Sequence, residues 1–339
     1  MVNAALVGCG DVSTVHVEAL EALGDELGIT LVGVADTHLD SAKAISALTT
    51  ANAYPSLSSM LEKEDIDVLH ITTPHDQHID LAIEALEAGM NVILEKPLAN
   101  ETEHAYRLLD YLEDHPDAPK IGICYQNRYN VSSLEMRRLL DSGELGTVHG
   151  AYASVVWTRT PGYYEAKPWR GQKRRAGGGL LMNQAIHTLD LVQWFLGPVT
   201  QVKGMVSTDK YGDVVDTEDT AHAYLTHATG VNTSFYGTLT NSRHRHVEIE
   251  IDCAKALVEL RDGLTVTWKD GHVDHYEERK QETEGRSYWG VSHELLIRDF
   301  YERLADPEPF WISPAEAMAS LGIAKAIYQS SQNEGETYE

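Results

Sequence analysis

The stretch Ala4-Ala5-Leu6-Val7-Gly8-Cys9-Gly10-Asp11-Val12-Ser13 runs from an apolar segment through two glycines toward a helical pattern. Consecutive apolar residues stopped by a glycine turn read as a buried strand over Ala4–Val7. Thr14–Leu23, with Val15, Ala19 and Leu23 on one face, reads as a helix. The turn between them has the spacing GxGxxS. In a dinucleotide fingerprint the first glycine permits the tight turn and the second lets the backbone approach a pyrophosphate, while the third position needs only a small side chain. Ser13 meets that need. The pyrophosphate would lie on the helix N-terminus, where free N–H groups and the dipole favour an anion. Gly8, Gly10, Asp11, Val12 and Ser13 are therefore candidate cofactor-binding residues. The bland alternative is a structural turn, and the strand–turn–helix context weighs against it.

Further on, Thr30–Ala35, Asp67–Thr72, Asn91–Leu94 and Lys120–Cys124 read as strands. Helical patterns over Ser41–Leu48, Ile79–Ala88 and Glu101–Glu113 separate them. Such alternation predicts an α/β fold, a doubly wound parallel sheet of Rossmann type. Asp36 ends the second strand, roughly twenty residues beyond the turn, where a carboxylate accepts from the adenosine ribose hydroxyls. Thr37 and His38 follow, with no arginine to receive a 2′-phosphate, so NAD is favoured over NADP.

The texture changes after about residue 125. Ser132–Ser142 is helical and His149–Thr158 alternates like a strand. Gly177–Gly179 precede a strongly periodic helix, Leu180–Leu196, stopped by Gly197-Pro198. Period-2 segments then recur (Thr220–Thr226, Asn232–Leu239, Val247–Cys253, Leu257–Leu260, Thr265–Trp268), with turns at Asp262-Gly263 and Asp270-Gly271. They predict a second α/β domain built on a large, mostly antiparallel sheet, closed by helices near His293–Ala305 and Pro314–Tyr328. Two domains suit a chain of 339 residues. The expected division is 1–124 for the cofactor and 125–339 for the substrate and oligomerisation.

Composition narrows the partners. A net charge of −25 argues against nucleic acid or an anionic membrane surface, although a local positive site still admits an anionic cofactor. No run of eighteen apolar residues offers a membrane span. The N-terminus has no basic flank and reads as a strand rather than a targeting segment. Cys9, Cys124 and Cys253 are widely spaced and form no CxxC pair, so a reducing, cytoplasmic setting is expected.

Chemistry-bearing residues fall at two places. Glu95-Lys96-Pro97 ends the fourth strand, where open α/β sheets present functional groups, and a cis bond before Pro97 would suit a tight turn. A lysine there can stabilise a developing alkoxide; the plain alternative is a solvated strand-end lysine. On the Leu180–Leu196 helix, Asn183 and His187 are i,i+4 neighbours with Asp190 one turn on. A cleft-facing histidine can take a hydroxyl proton, since imidazole titrates near neutrality. Taken alone, a histidine hydrogen-bonded within a domain interface is the simpler reading.

Several motifs in order resemble the Gfo/Idh/MocA oxidoreductases: Gly8–Ser13; Thr73-Pro74 with His78; Glu95-Lys96-Pro97; Gln126-Asn127-Arg128-Tyr129; Trp169-Arg170-Gly171; Gly177–Asp190; and the His293–Phe300 helix. That family includes glucose–fructose oxidoreductase and inositol dehydrogenases. The resemblance implies a Rossmann domain joined to a C-terminal α/β domain, whose open sheet face makes a homodimer or homotetramer. It implies Lys96 beside the nicotinamide and His187 as general acid/base. Thr73, Pro74, His75, His78, Glu95, Asn127, Trp169 and Arg170 would then approach the cofactor. Asn183 stands where many members carry aspartate; an amide orients a hydroxyl but holds no charge. The implied activity is NAD-dependent hydride transfer at a secondary hydroxyl of a sugar, cyclitol or sugar derivative. Two other readings keep the scaffold: a non-catalytic NAD-binding sensor, and an enzyme recycling NAD within a hydrolysis or epimerisation.

Other features carry less. Histidine pairs at 75/78, 244/246 and 272/275 have no third ligand at metal spacing, so no metal is expected. Arg159, Lys167, Arg170, Lys173, Arg174 and Arg175 crowd one segment against a single acid, Glu165. That segment reads equally as an anion-binding loop or a solvated one. Tyr163, Tyr164, Trp169 and Tyr288 are candidates to stack on a sugar ring, with Tyr164 and Tyr288 set beside Lys96, Asn183 and His187 as substrate-binding residues.

Overall fold

The computed structural model describes residues 1–279, 292–333 and 336–338; Tyr288 lies outside the described residues. Strands and helices first alternate: β1 (Val2–Val7), α1 (Ser13–Leu27), β2 (Ile29–Ala35), α2 (Leu39–Ser46), β3 (Asn52–Tyr54), α3 (Leu57–Leu61) and β4 (Val68–Ile71). Next come α4 (His78–Glu87), β5 (Asn91–Leu94), α5 (Thr102–Asp114), β6 (Ile121–Ile123), α6 (Val131–Ser142) and β7 (Val148–Val156). Two short helices, α7 (Pro161–Ala166) and α8 (Lys173–Ala176), lead to α9 (Ile186–Leu196). Strands β8 (Val199–Ser207), β9 (Thr220–His227), β10 (Asn232–Thr238) and β11 (Glu248–Cys253) follow. The chain closes with β12 (Ala256–Leu260), β13 (Leu264–Trp268), β14 (Val273–Tyr276), α10 (Ser292–Glu302) and α11 (Pro314–Gln332).

The elements form two compact units, one of Met1–Ala99, Glu103–Gln126 and 292–317, the other of Asn100–Thr102, 127–279 and 318–338. Two contiguous segments divided at 124/125 do not describe this, because the chain returns to its first unit at α10. The cause is α10's apolar face: Leu296, Ile297, Phe300 and Tyr301 are buried at helical spacing, and the helix packs on α1. Arg298 adds a bidentate pair with Glu26.

In the first unit six strands pair in the order β3-β2-β1-β4-β5-β6, every pairing parallel. Ala4–Val7 and Val68–Ile71 are buried throughout, as central strands covered on both faces must be. The order reverses between β1 and β4. Ligands of open α/β sheets bind at that switch, outside the carboxyl ends of the strands.

The second unit holds an eight-stranded sheet, β14-β13-β12-β11-β7-β10-β9-β8, antiparallel except where β7 meets β10. Alternation sorts its faces. Gly204, Ala223, Phe235, Ala153, Ile249 and Leu260 form a buried row across it, and α6 and α9 pack against the sheet. The adjacent row includes Lys203, Tyr224 and Tyr152, with Met205 nearby, and the three apolar side chains among them are exposed.

Asp190 does not share the face of Asn183 and His187. It is 1% exposed and forms a bidentate ion pair with Arg128, also 1% exposed, at 2.8 and 2.6 Å. The pair ties α9 to the turn before α6. Arg128→Ala leaves a buried carboxylate without its cation, and should cost about 3–5 kcal/mol. Thermal melting of the variant checks this; an unchanged Tm would show that the pair anchors nothing.

Candidate active site

The first unit presents a cradle at the carboxyl ends of β1, β2 and β4. Gly8 has φ +95°, and a Cβ there would lie 2.7 Å from the Thr73 nitrogen, so only glycine allows β1 to turn against the β4 loop. Above Gly10, by contrast, an added Cβ would meet nothing within 4 Å. That open ground lies before α1, whose first turn has no side-chain cap and no acidic residue. A helix start with no side-chain cap, beside open ground at Gly10, suits a pyrophosphate. Ser13 is fully buried and donates to the Gly10 carbonyl at 2.6 Å, which satisfies its hydroxyl in the packed third position. Thr73 Oγ1 is buried with no hydrogen-bond partner beside this turn.

Asp36 accepts from the Cys9 amide at 2.8 Å and the His38 amide at 2.7 Å, one bond on each oxygen. Each oxygen keeps a lone pair for a ribose hydroxyl. The residues present therefore fit NAD. Asp36→Ala is expected to weaken NAD binding about tenfold or more, since a hydrogen bond to a charged group contributes about 1.5–3 kcal/mol. Calorimetric titration decides it, and an unaltered Kd would remove Asp36 from the site. Cys9 is an inert neighbour, its thiol pushed up to about 12 by burial and by Asp36.

Lys96 follows β5, and the Lys96-Pro97 bond is cis. From Val92 to Asn100 it is the one residue whose side chain is not buried. Beneath it lies a polar network. Glu95 accepts from His16 Nε2 at 3.0 Å, from His293 Nε2 at 3.3 Å and from the Lys96 amide at 3.2 Å. Burial pushes the Glu95 carboxyl up, but the bonds from His16 and His293 overcome this and hold it well below the usual carboxylate range. With Glu95 ionised, His16 Nε2 carries the proton. His16 Nδ1 then accepts from His70 Nδ1 at 2.9 Å, and His70 Nε2 accepts from the Tyr301 hydroxyl at 3.0 Å. His16, Glu95 and His293 are also the group of possible metal ligands among the described residues, and hydrogen bonds alone account for their geometry.

His78 and His75 face inward. Fully buried His78 sets Nδ1 2.8 Å from the Pro97 carbonyl and Nε2 3.0 Å from the Thr73 carbonyl; the neutral ring donates through one nitrogen only and packs between the loop after β4 and the loop after β5. It braces the two loops from a fully buried position, where the resemblance would have it approach the cofactor. His75 is 4% exposed and lies with its ring 5.6 Å from that of His78. Glu95, likewise expected at the cofactor, turns its carboxylate into the network.

Burial lowers the pKa of His16, His70 and His78 from 6.5. As pH falls through the unfolded value, the unfolded chain takes up these protons first and stability drops. Glu95 acts in the same sense, its contribution being lost as pH falls through its depressed folded value. Glu218, raised by burial, works the other way. Three buried histidines act in one sense against one carboxyl in the other, so Tm should fall between about pH 7.5 and about pH 5.5. A flat or rising Tm would contradict neutral histidines.

In the second unit, three glycines set the helix that carries Asn183 and His187. A Cβ on Gly177, Gly178 or Gly179 would lie 2.0 Å from the Asn100 carbonyl oxygen, the Tyr328 hydroxyl and the Glu218 carbonyl oxygen respectively. The buried Glu218 carboxylate accepts from the Gly179 and Leu181 amides at 2.8 Å each, and from the Tyr328 hydroxyl at 2.7 Å. Lys325 reaches the Gly177 carbonyl at 2.9 Å. The expected uninterrupted α-helix over Leu180–Leu196 begins instead with a π-turn, Leu181–Ala185, before α9. Such turns collect at functional positions. Between Leu180 and Phe195, only Asn183, His187 and Trp194 escape full burial.

Tyr164, expected to stack on a sugar, is 3% exposed and wedged against Tyr163 and Tyr211, so it offers no open ring face. Tyr163 beside it is half-buried, and Gln184 donates to its hydroxyl at 3.0 Å. Trp169 and Arg170 lie on a turn in this unit, with the Arg170 guanidinium 4.5 Å from the Tyr163 ring centre. Asn127, Asp11, Val12 and Pro74 are half-buried.

Residues 2–119 match the NAD-binding Rossmann domain of the GFO/IDH/MocA oxidoreductases, and residues 133–259 match that family's C-terminal domain. The chain is 28% identical to a putative UDP-kanosamine synthase oxidoreductase subunit of Amycolatopsis mediterranei, over 97% of this chain and 96% of that one. It is 27% identical to an inositol 2-dehydrogenase of Rhizobium meliloti, over 97% and 96%. The crystal structure of the WlbA dehydrogenase from Bordetella pertussis, in complex with NADH and UDP-GlcNAcA, is similar with a TM-score of 0.84 at 28% identity, covering 99% of this chain and 98% of that one. With both of its domains matched in order and the dinucleotide cradle in place, the chain belongs to the GFO/IDH/MocA family of NAD-binding oxidoreductases.

Proposed function

We propose that the protein reversibly oxidises a secondary hydroxyl of a sugar, cyclitol or sugar derivative with NAD. The observation that carries this reading is Lys96: the lone incompletely buried side chain of its segment, at a strand end of the unit that carries the cradle. Bound NAD would supply the hydride acceptor. The Lys96 ammonium holds the substrate oxygen and stabilises the negative charge that develops on it. His187 takes the hydroxyl proton as general base, and Asn183 orients that hydroxyl through its amide. Relatives named for inositol and for UDP-sugar chemistry support the substrate class.

The test is a panel of inositols, aldoses, sugar acids and UDP-sugars offered with NAD. NADH should appear with at least one class. Firm NAD binding with no NADH from any of them would overturn the reading. We also propose assembly into a homodimer or homotetramer through the face carrying Tyr152, Met205 and Tyr224, which supports a sheet-to-sheet contact. Light scattering should give a multiple of the chain mass, and a monomer would refute it.

A further inference from the structure

A chain of rings and guanidinium groups runs through the second unit, and apart from Trp169 and Arg170 at its end, expected at the cofactor, the proposed reaction gives its members no role. The His244 ring stacks on Trp157 at 4.8 Å. The Arg159 guanidinium lies 5.1 Å from the Trp157 ring centre and 4.9 Å from that of Tyr163. Arg170 lies 4.5 Å from Tyr163 and 6.0 Å from Trp169. The chain sits beside the π-turn, because Gln184, next to Asn183, donates to the Tyr163 hydroxyl.

Its hydrogen-bonding capacity is lopsided. Trp157 Nε1, Arg159 Nε and the Tyr164 hydroxyl are buried and have no partner. Trp and Arg side chains can only donate. A buried donor left unsatisfied costs about 1–3 kcal/mol, so a cluster of them calls for an acceptor. Arg159 forms no ion pair among the described residues, in a chain carrying a net charge of −25. Its position is nonetheless fixed: the Tyr211 hydroxyl donates to its carbonyl, its amide bonds the Leu239 carbonyl at 2.9 Å, and Nη1 bonds the Thr158 carbonyl at 3.1 Å. Gln184 Oε1 is the complementary feature, a buried acceptor with no partner. Fixed donors beside a lone acceptor match an anionic group carried on a hydroxyl-bearing ligand.

We propose that Trp157, Arg159 and Tyr163, with Arg170 adjoining, form an anion subsite that receives a carboxylate or phosphate of the substrate, making that substrate an acidic sugar derivative. The assignment of the ligand as substrate rests on the dehydrogenase reading; the subsite itself does not. The carboxylate and the phosphate ester share the chemistry that such donors recognise.

The experiment uses the full-length protein with NAD and matched trios on the glucose, galactose and mannose scaffolds: the neutral sugar, its uronate and its 6-phosphate. Binding is read by calorimetry, independently of turnover. A uronate or a 6-phosphate should bind at least tenfold more tightly than its neutral partner, and which one does identifies the anion. Trp157→Phe, which keeps the ring and removes only the N–H, and Arg159→Gln should each erase most of that preference while NAD affinity stays unchanged. Equal binding of neutral and acidic partners, no binding of any acid, or a preference that survives both substitutions would overturn the subsite. If the acids bind as expected and yet no NADH forms, the subsite stands and the dehydrogenase reading fails. If neutral sugars alone are oxidised, the reverse holds.

Discussion

His187→Ala is expected to lower kcat by about 10²–10⁴-fold, the usual contribution of a positioned general base. NAD affinity should hold, because the dinucleotide cradle is built from other residues in the first unit. The fold should hold too, since His187 is one of three residues between Leu180 and Phe195 that are not fully buried. Steady-state kinetics over a pH series gives the sharper signature. Wild type should lose kcat/KM on the acid side as an imidazole base protonates, and the variant should lack that limb. A loss of rate with an unchanged pH profile would mean that His187 only shapes the site.

Lys96→Ala should be comparably damaging, by about 10²–10³-fold in kcat, because a fixed charge aimed at the developing oxyanion acts mainly in the transition state. KM should move far less than kcat. Lys96→Met tests charge rather than length, and should be as slow as the alanine variant. The Glu95 network bonds the backbone amide of Lys96, so neither substitution disturbs that support. If Lys96→Met kept near wild-type kcat, the alkoxide would be stabilised elsewhere.

The first unit was legible in the sequence because its signals are local. A four-residue apolar run, a glycine turn and a carboxylate at the next strand end specify the parallel sheet and the cofactor within forty residues. Short elements escaped: β3 has three residues and α3 five, too few to show a period. Strand β8 hides because exposed Lys203 and Met205 alternate with buried Val202 and Gly204, a weak apolar signal. The supports of the site were illegible for a different reason. Glu95 and His293 are 198 positions apart, and Gly179 and Glu218 are 39 apart. Spacing rules see neighbours on one helix or strand, and these partners meet only once the chain has folded. For the same reason Asp190 looked like a third polar residue of the Asn183 face until Arg128 accounted for it.

Following the hydride itself tests the central claim most directly. A substrate bearing deuterium on the reacting carbinol carbon is incubated with NAD, and the reduced cofactor is analysed by mass spectrometry and NMR. Direct transfer predicts one deuterium at C4 of the nicotinamide in every molecule of NADH formed. NADH without the label, or labelled substrate consumed with no NADH at all, would contradict it.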